Sequence, residues 1–367
     1  MSALAASIED AYIVKLRPGV QSHAFLAETR SLIGSAEKIQ YNYNMSSFQG
    51  FASKLTAEQV DSLRKDNRVE LVEPQHIMQI TATQSSPPSW GLTRISQHAL
   101  RLPGPYVYPN SAGQGIDVWV IDTGIQTSHT DFEGRATLAA SFISGEANTD
   151  LNGHGTHVAG TIASRTYGVA KRARLFGVKV LNAQGAGTNA GVIAGIQYVT
   201  QNARRGRAVV NMSVGGGKSS AVDSAVAAAV AAGIPLIVSA GNSASNTCNY
   251  SPSGASGSFA VAASDRTDAP AAFTNRGRCT KLYAPGVAIT SLWIGRNGAT
   301  RSISGTSMAS PHVTGVAALY MAAGAVNTVA ALYRALVDNA TLGIIRQSLP
   351  NTPNRLLYSR PPGGRQN

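Results

Sequence analysis

The chain has 367 residues, 43% of them hydrophobic and 14% charged, enough apolar material for a sizeable core and too little charge for global disorder. It lacks any apolar run of about 18 residues, which excludes a membrane-spanning helix, and Met1–Asp10 lacks the basic head and long apolar stretch of a whole signal peptide. The formal net charge of +12 comes from the second part, since residues 1–81 hold 8 basic and 9 acidic side chains and the rest 23 and 10; the basic residues are scattered singly, with Arg204-Arg205-Gly206-Arg207 the densest cluster, so nucleic acid is not an expected partner.

Residues 10–81 read as a small α+β unit. Ala11–Leu16 predicts a strand ending at Arg17-Pro18-Gly19, residues 22–34 an amphipathic helix, and Phe48–Ala52 a second strand. Thr56 and Gln59 have capping-box spacing and open another helix. Val69–Glu73 alternates as a last strand before Pro74. Thr81–Pro88 is polar and proline-bearing, suited to a linker and to proteolysis.

From Trp90 glycine and alanine become frequent. Val118–Ile121, Leu175–Leu181, Val209–Val214 and Pro235–Ser239 are short, doubly apolar strands, with helical stretches at 187–204 and 219–232 between them. The alternation predicts an α/β unit with a mostly parallel sheet covered on both faces. The last residues, 361–367, read as a frayed tail.

In such a sheet reactive side chains sit at the carboxyl ends of strands. Asp122 ends the Val118–Ile121 strand, although an Asp there is commonly a helix cap. His154 sits in Asn152-Gly153-His154-Gly155-Thr156-His157, a loop turning into a helix. His154 and His157 have the spacing of two metal ligands on a helix, but no Glu completes a zincin pattern, so no metal is expected. Ser307 opens a helix that runs through Ala317–Tyr320, as an N-cap or as a nucleophile favoured by the helix's positive end. A serine hydroxyl needs an imidazole to take its proton, and the imidazole needs a carboxylate to fix its tautomer. The chain supplies them as Asp122, His154 and Ser307, the order found in subtilisin. Cys248 and Cys279 fit no zinc spacing; they are one disulfide or two buried thiols.

The segments Val120–Gly124, His154–Gly160 and Gly305–Val313 resemble the three motifs of the subtilisin-like serine proteases, the subtilases. Trp90-Gly91-Leu92, Cys248–Pro252 and Pro353–Tyr358 resemble the proteinase K and aqualysin branch. The resemblance spans residues 82–367 and implies a subtilisin-like three-layer α/β fold. Residues 10–81 resemble the family's inhibitor-type propeptide, a small ferredoxin-like α+β domain. The implied layout is a propeptide at 1–81, a peptidase domain at 82–360 and a tail at 361–367, with self-cleavage near Thr81–Ala82. By the same resemblance Asp122 orients His154, His154 deprotonates Ser307, and Asn242, within Ser239-Ala240-Gly241-Asn242, donates to the oxyanion together with the Ser307 N–H. Gly185, Ala186, Gly187, Ser213, Val214, Gly215, Gly216, Ala240 and Gly241 would flank an extended substrate that adds as a strand. An apolar or aromatic P1 preference is also only implied. His129, His157 and His312 fall in family motifs and are expected to be structural.

The resemblance makes Cys248–Cys279 an aqualysin-type disulfide; Leu151 and Ala183 stand where that type has its second pair. Lys281 stands where proteinase K-like enzymes place a calcium-ligating Asp, and Thr93 and Ser96 replace acidic ligands. A lysine cannot ligate calcium, so the Lys281 site is expected to be missing, while other structural calcium stays open and none is needed for chemistry. The expected partners are polypeptide substrates and the chain's own propeptide as intramolecular inhibitor, with no nucleic acid and no membrane, for a monomer acting outside the cell. The competing expectation is a catalytically inactive subtilase that binds polypeptides, against which the presence of Asp122, His154, Ser307 and Asn242 speaks.

Overall fold

The computed structural model describes residues 7–33, 39–76 and 81–360, which fall into two compact units, one up to residue 76 and one from residue 81. The expected tail at 361–367 lies outside the described residues.

The first unit is a four-stranded antiparallel sheet in the order Ile39–Met45, Phe48–Lys54, Ser7–Leu16, Val69–His76. With helical segments after the first and third strands it has the β-α-β-β-α-β order of a ferredoxin-like fold. Helix Ala57–Lys65 starts as its sequence predicts: the Thr56 hydroxyl accepts from the Gln59 N–H and the Gln59 side chain accepts from the Thr56 N–H. Phe25, Phe51, Val60 and Leu63 fill its core. The helix predicted over 22–34 is two pieces, Ser22–Glu28 and Arg30–Ile33, because Thr29 turns its hydroxyl back onto the Phe25 carbonyl.

The second unit holds a nine-stranded sheet, in the order Thr341–Leu342, Arg355–Leu356, Thr280–Pro285, Phe259–Ser264, Leu236–Ser239, Ala208–Met212, Asp117–Asp122, Arg174–Lys179, Ala136–Ser141. All neighbours pair in parallel except Thr341–Leu342 with Arg355–Leu356. Successive side chains of a strand point to opposite faces. Val118 and Val120 therefore join one core, under helices His154–Ala163 and Thr306–Ala322, while Trp119 and Ile121 join the other, under Asn189–Asn202 and Ser220–Ala231. Thr81–Gln84 is not a linker: it forms a strand paired antiparallel with Tyr106–Pro109. No described helix is long and apolar enough to cross a membrane.

Candidate active site

From Asp117–Asp122 the chain first builds the strands on one side, Ala136–Ser141 and Arg174–Lys179, and then those on the other, from Ala208–Met212 onward. The connections diverge beside the carboxyl end of Asp117–Asp122, where an open sheet leaves a crevice. A cleft of about 660 Å³ lies there, bordered by His154, Asn242, Ser307 and the segments 185–189, 213–217 and 250–253.

Asp122 is the last residue of its strand and is fully buried. Its Oδ1 accepts from the Thr123 N–H and from His154 Nδ1–H, each at 2.7 Å. That fixes the tautomer of His154, leaving Nε2 as the proton acceptor. His154 is the first residue of helix His154–Ala163. Burial is the largest influence on its imidazole and disfavours the cation; the charge and hydrogen bond of Asp122, joined by the charge of Asp150, outweigh it and raise the pKa above its ordinary value.

Ser307 is the second residue of helix Thr306–Ala322, at the positive end of the helix dipole. Its hydroxyl donates to the Ser213 carbonyl oxygen at 3.1 Å, and among the described residues no hydrogen bond joins it to His154, although both border the cleft. Asn242 Oδ1 accepts from the Thr306 N–H and hydroxyl, each at 2.8 Å. Its Nδ2 is thereby left as the donor end of a side chain that borders the cleft. Gly185, Ala186, Gly187, Ser213, Val214, Gly215, Gly216 and Gly241 border the cleft. Ala240 does not: it is fully buried, and its carbonyl accepts from Asn275 Nδ2.

Residues 113–357 match the subtilase family, and residues 11–81 match the peptidase inhibitor I9 family. The chain belongs to the subtilase family. It is 43% identical over 358 residues to proteinase R of Parengyodontium album, covering 96% of this chain and 89% of that one. It is 44% identical over 312 residues to the extracellular serine proteinase of Thermus sp. (strain Rt41A), covering 85% and 75%. A crystal structure of a cold adapted subtilisin-like serine proteinase shares 44% identity at a TM-score of 0.70, covering 74% of this chain and 97% of that one. This subtilase is accordingly a serine-type peptidase carrying an I9-type segment at its N-terminus.

Two groups in the subtilase site are not found by sequence reasoning. Asp150, buried, accepts from Asn152 N–H and Gly153 N–H at Oδ1 and from the Thr156 N–H and hydroxyl at Oδ2, which holds the start of the His154 helix. It also accepts from the Thr123 hydroxyl at 2.8 Å, coupling that helix to the turn after Asp122. Its signal was an acidic residue just ahead of a helix start. Lys179, fully buried, donates to the Thr123 and Leu181 carbonyls at 3.0 and 2.8 Å and pairs with Glu146 at 3.0 Å; a lysine inside an apolar strand gave no hint of that partner.

The other motif histidines face backbone. His157 Nε2 donates to the Ile289 and Arg301 carbonyls, and His312 Nδ1 to the Met308 carbonyl; burial pushes both imidazoles down to about 4. His129 Nδ1 accepts from the Asp131 N–H, and its Nε2 donates to the Ala299 carbonyl. Cys248 and Cys279 are joined as a disulfide. Among the described residues no group of three or more His, Cys, Asp or Glu side chains could hold a metal ion. The Thr93 hydroxyl donates to the Gly104 carbonyl and the Ser96 hydroxyl to Thr93 and Pro105, so these positions are engaged with the chain's own carbonyls.

Proposed function

We propose that this subtilase is a secreted serine endopeptidase, made as a zymogen, that cleaves polypeptides through a covalent acyl-enzyme. The observation that carries the proposal is the 2.7 Å bond between Asp122 and His154 at a cleft also bordered by Ser307 and Asn242. With substrate seated, the Ser307 hydroxyl turns from the Ser213 carbonyl to His154; such bonds tighten in the substrate complex. His154 Nε2 takes the hydroxyl proton as Oγ attacks the scissile carbonyl. Asp122 holds the imidazolium that results. The tetrahedral oxyanion accepts from Asn242 Nδ2 and the Ser307 N–H. His154 then protonates the leaving amine, and a water, deprotonated by the same imidazole, releases the acyl group. In a subtilisin, losing one such oxyanion donor costs about 10²–10³ in turnover.

Segments 185–187 and 213–216 are poor in side chains and border the cleft, which suits a peptide held by its backbone. Specificity is therefore broad, and the family resemblance adds an apolar or aromatic preference at P1. Residues 1–81 act as propeptide and intramolecular inhibitor, residues 82–360 as the peptidase, with self-cleavage near Thr81–Ala82; the enzyme works as a monomer. An extracellular setting is supported by the Thermus relative's name and by the disulfide. No cofactor takes part in the chemistry. The residues at Thr93, Ser96 and Lys281 do not fit calcium, two being committed to carbonyls and one cationic.

Expression of the full chain and of Ser307→Ala tests this reading. The native chain shortens by about residues 1–81 and hydrolyses casein; Ser307→Ala keeps its full mass and is inactive. Casein hydrolysis by Ser307→Ala at the native rate contradicts it.

A further inference from the structure

The oxyanion donor proposed above, Asn242, sits on a tight loop whose shape the strand before it does not determine. Gly241 has φ +104° and Ala244 φ +48°. An alanine keeps that left-handed conformation only where its surroundings impose it. Asn275, more than 30 positions later and fully buried, meets this loop on both sides of Asn242. Its Nδ2 donates to the Ala240 carbonyl at 2.9 Å. Its Oδ1 accepts from the Ser243 and Ser245 N–H groups at 2.9 and 3.0 Å. Its own backbone N–H donates to the Gly241 carbonyl at 2.9 Å. The two N–H groups on one side and the carbonyl on the other leave a single orientation for this amide. A Cβ on Gly241 would overlap Asn275 Nδ2, so this side-chain amide lies directly against the Gly241 backbone.

Asn275 does not border the cleft. Thr306 pins the acceptor end of the Asn242 amide, whereas Asn275 sets where the Asn242 backbone stands. An oxyanion donor contributes through being in place before charge develops, so the value of Asn242 depends on that placement.

We propose that Asn275 is a positioning residue for catalysis: it bridges residues 240, 243 and 245 and so aims the Asn242 amide at the developing oxyanion. The proposal rests on Asn242 being that donor. A double-mutant cycle with a soluble peptide substrate tests it. Asn275→Ala lowers kcat by about 10- to 100-fold, part of the roughly 10²–10³ that a whole donor carries, with KM within about twofold. In an Asn242→Ala background the same substitution costs less than about threefold, since the donor it would misplace is gone. Asn275→Asp keeps the shape and both acceptor bonds while losing the donor to Ala240, and carries the same cycle where the alanine variant does not accumulate. An equal kcat loss in both backgrounds, or a raised KM with kcat intact, overturns the proposal and leaves Asn242 as donor. An Asn242→Ala enzyme with undiminished kcat removes the oxyanion assignment itself, and the Asn275 proposal with it.

Discussion

Gly155 lies directly against the carbonyl of Gly124: a Cβ at residue 155 would overlap that oxygen and stand 3.2 Å from Asp122 Oδ1. This contact lets the His154 helix dock on the turn after Asp122, where the Gly155 N–H donates to the Thr123 hydroxyl at 2.9 Å. Gly155→Ala must push the helix away from the carboxylate. A displacement of about 1 Å between catalytic groups costs on the order of 10² in rate. The variant should therefore lose about 10²-fold or more in kcat with a smaller change in KM, read by steady-state kinetics. Native kcat would show that the contact can relax without moving His154.

The activity profile should rise with pH as His154 loses its proton, because only the neutral ring can accept from Ser307. Asp122 and Asp150 hold that pKa above its ordinary value of 6.5, so the midpoint of the acid limb of kcat/KM should lie above 6.5. Asp122→Asn removes the nearest charge and the tautomer lock. It should move the limb down and lower kcat by about 10⁴. A flat profile from weakly acid to weakly alkaline pH contradicts His154 as the base.

Stability should fall in acid for a separate reason. His157 and His312 titrate near 4 in the folded chain against 6.5 unfolded. The unfolded chain binds protons first, so their contribution is intact above 6.5 and is lost as pH falls to about 4. Each shift is worth roughly 3 kcal/mol. Urea unfolding of Ser307→Ala, which cannot digest itself, should show that decline. Adding His157→Gln should flatten it by about half; an unchanged slope would acquit His157.

The Cys248–Cys279 disulfide closes a loop with a sequence separation of 31 and anchors the segment just before the cleft residues 250–253. Loop-closure entropy for that length predicts about 3–4 kcal/mol. Replacing both cysteines with serine in the Ser307→Ala background should lower the unfolding free energy by about that amount. No loss of stability would mean that the Thr247–Thr280 hydroxyl bond holds the segment unaided.

The places of Asp122 at a strand end and of His154 and Ser307 at helix starts were legible because an apolar or helical pattern begins or ends at each, and the Thr56 capping box because its partners lie within one turn. Thr81–Gln84 was not legible as a strand: it is polar, close to prolines, and ordered by Tyr106–Pro109, some 25 positions on. Ile39–Met45 escaped notice although its apolar residues alternate, because most of the strand is exposed. Ala240 reads as a cleft residue from its neighbours, yet its carbonyl turns inward to Asn275. For Thr81–Gln84 and Ala240 the deciding partner is distant in sequence, whereas Ile39–Met45 pairs with the adjacent Phe48–Lys54.

The central claim is that His154 activates Ser307. Reaction of the mature enzyme with a fluorophosphonate, followed by intact-mass and peptide analysis, tests it most directly. The account predicts a single adduct on Ser307, forming faster as pH rises through the His154 titration and nearly absent in His154→Ala. No adduct on native Ser307, or labelling of His154→Ala at the native rate, would contradict it.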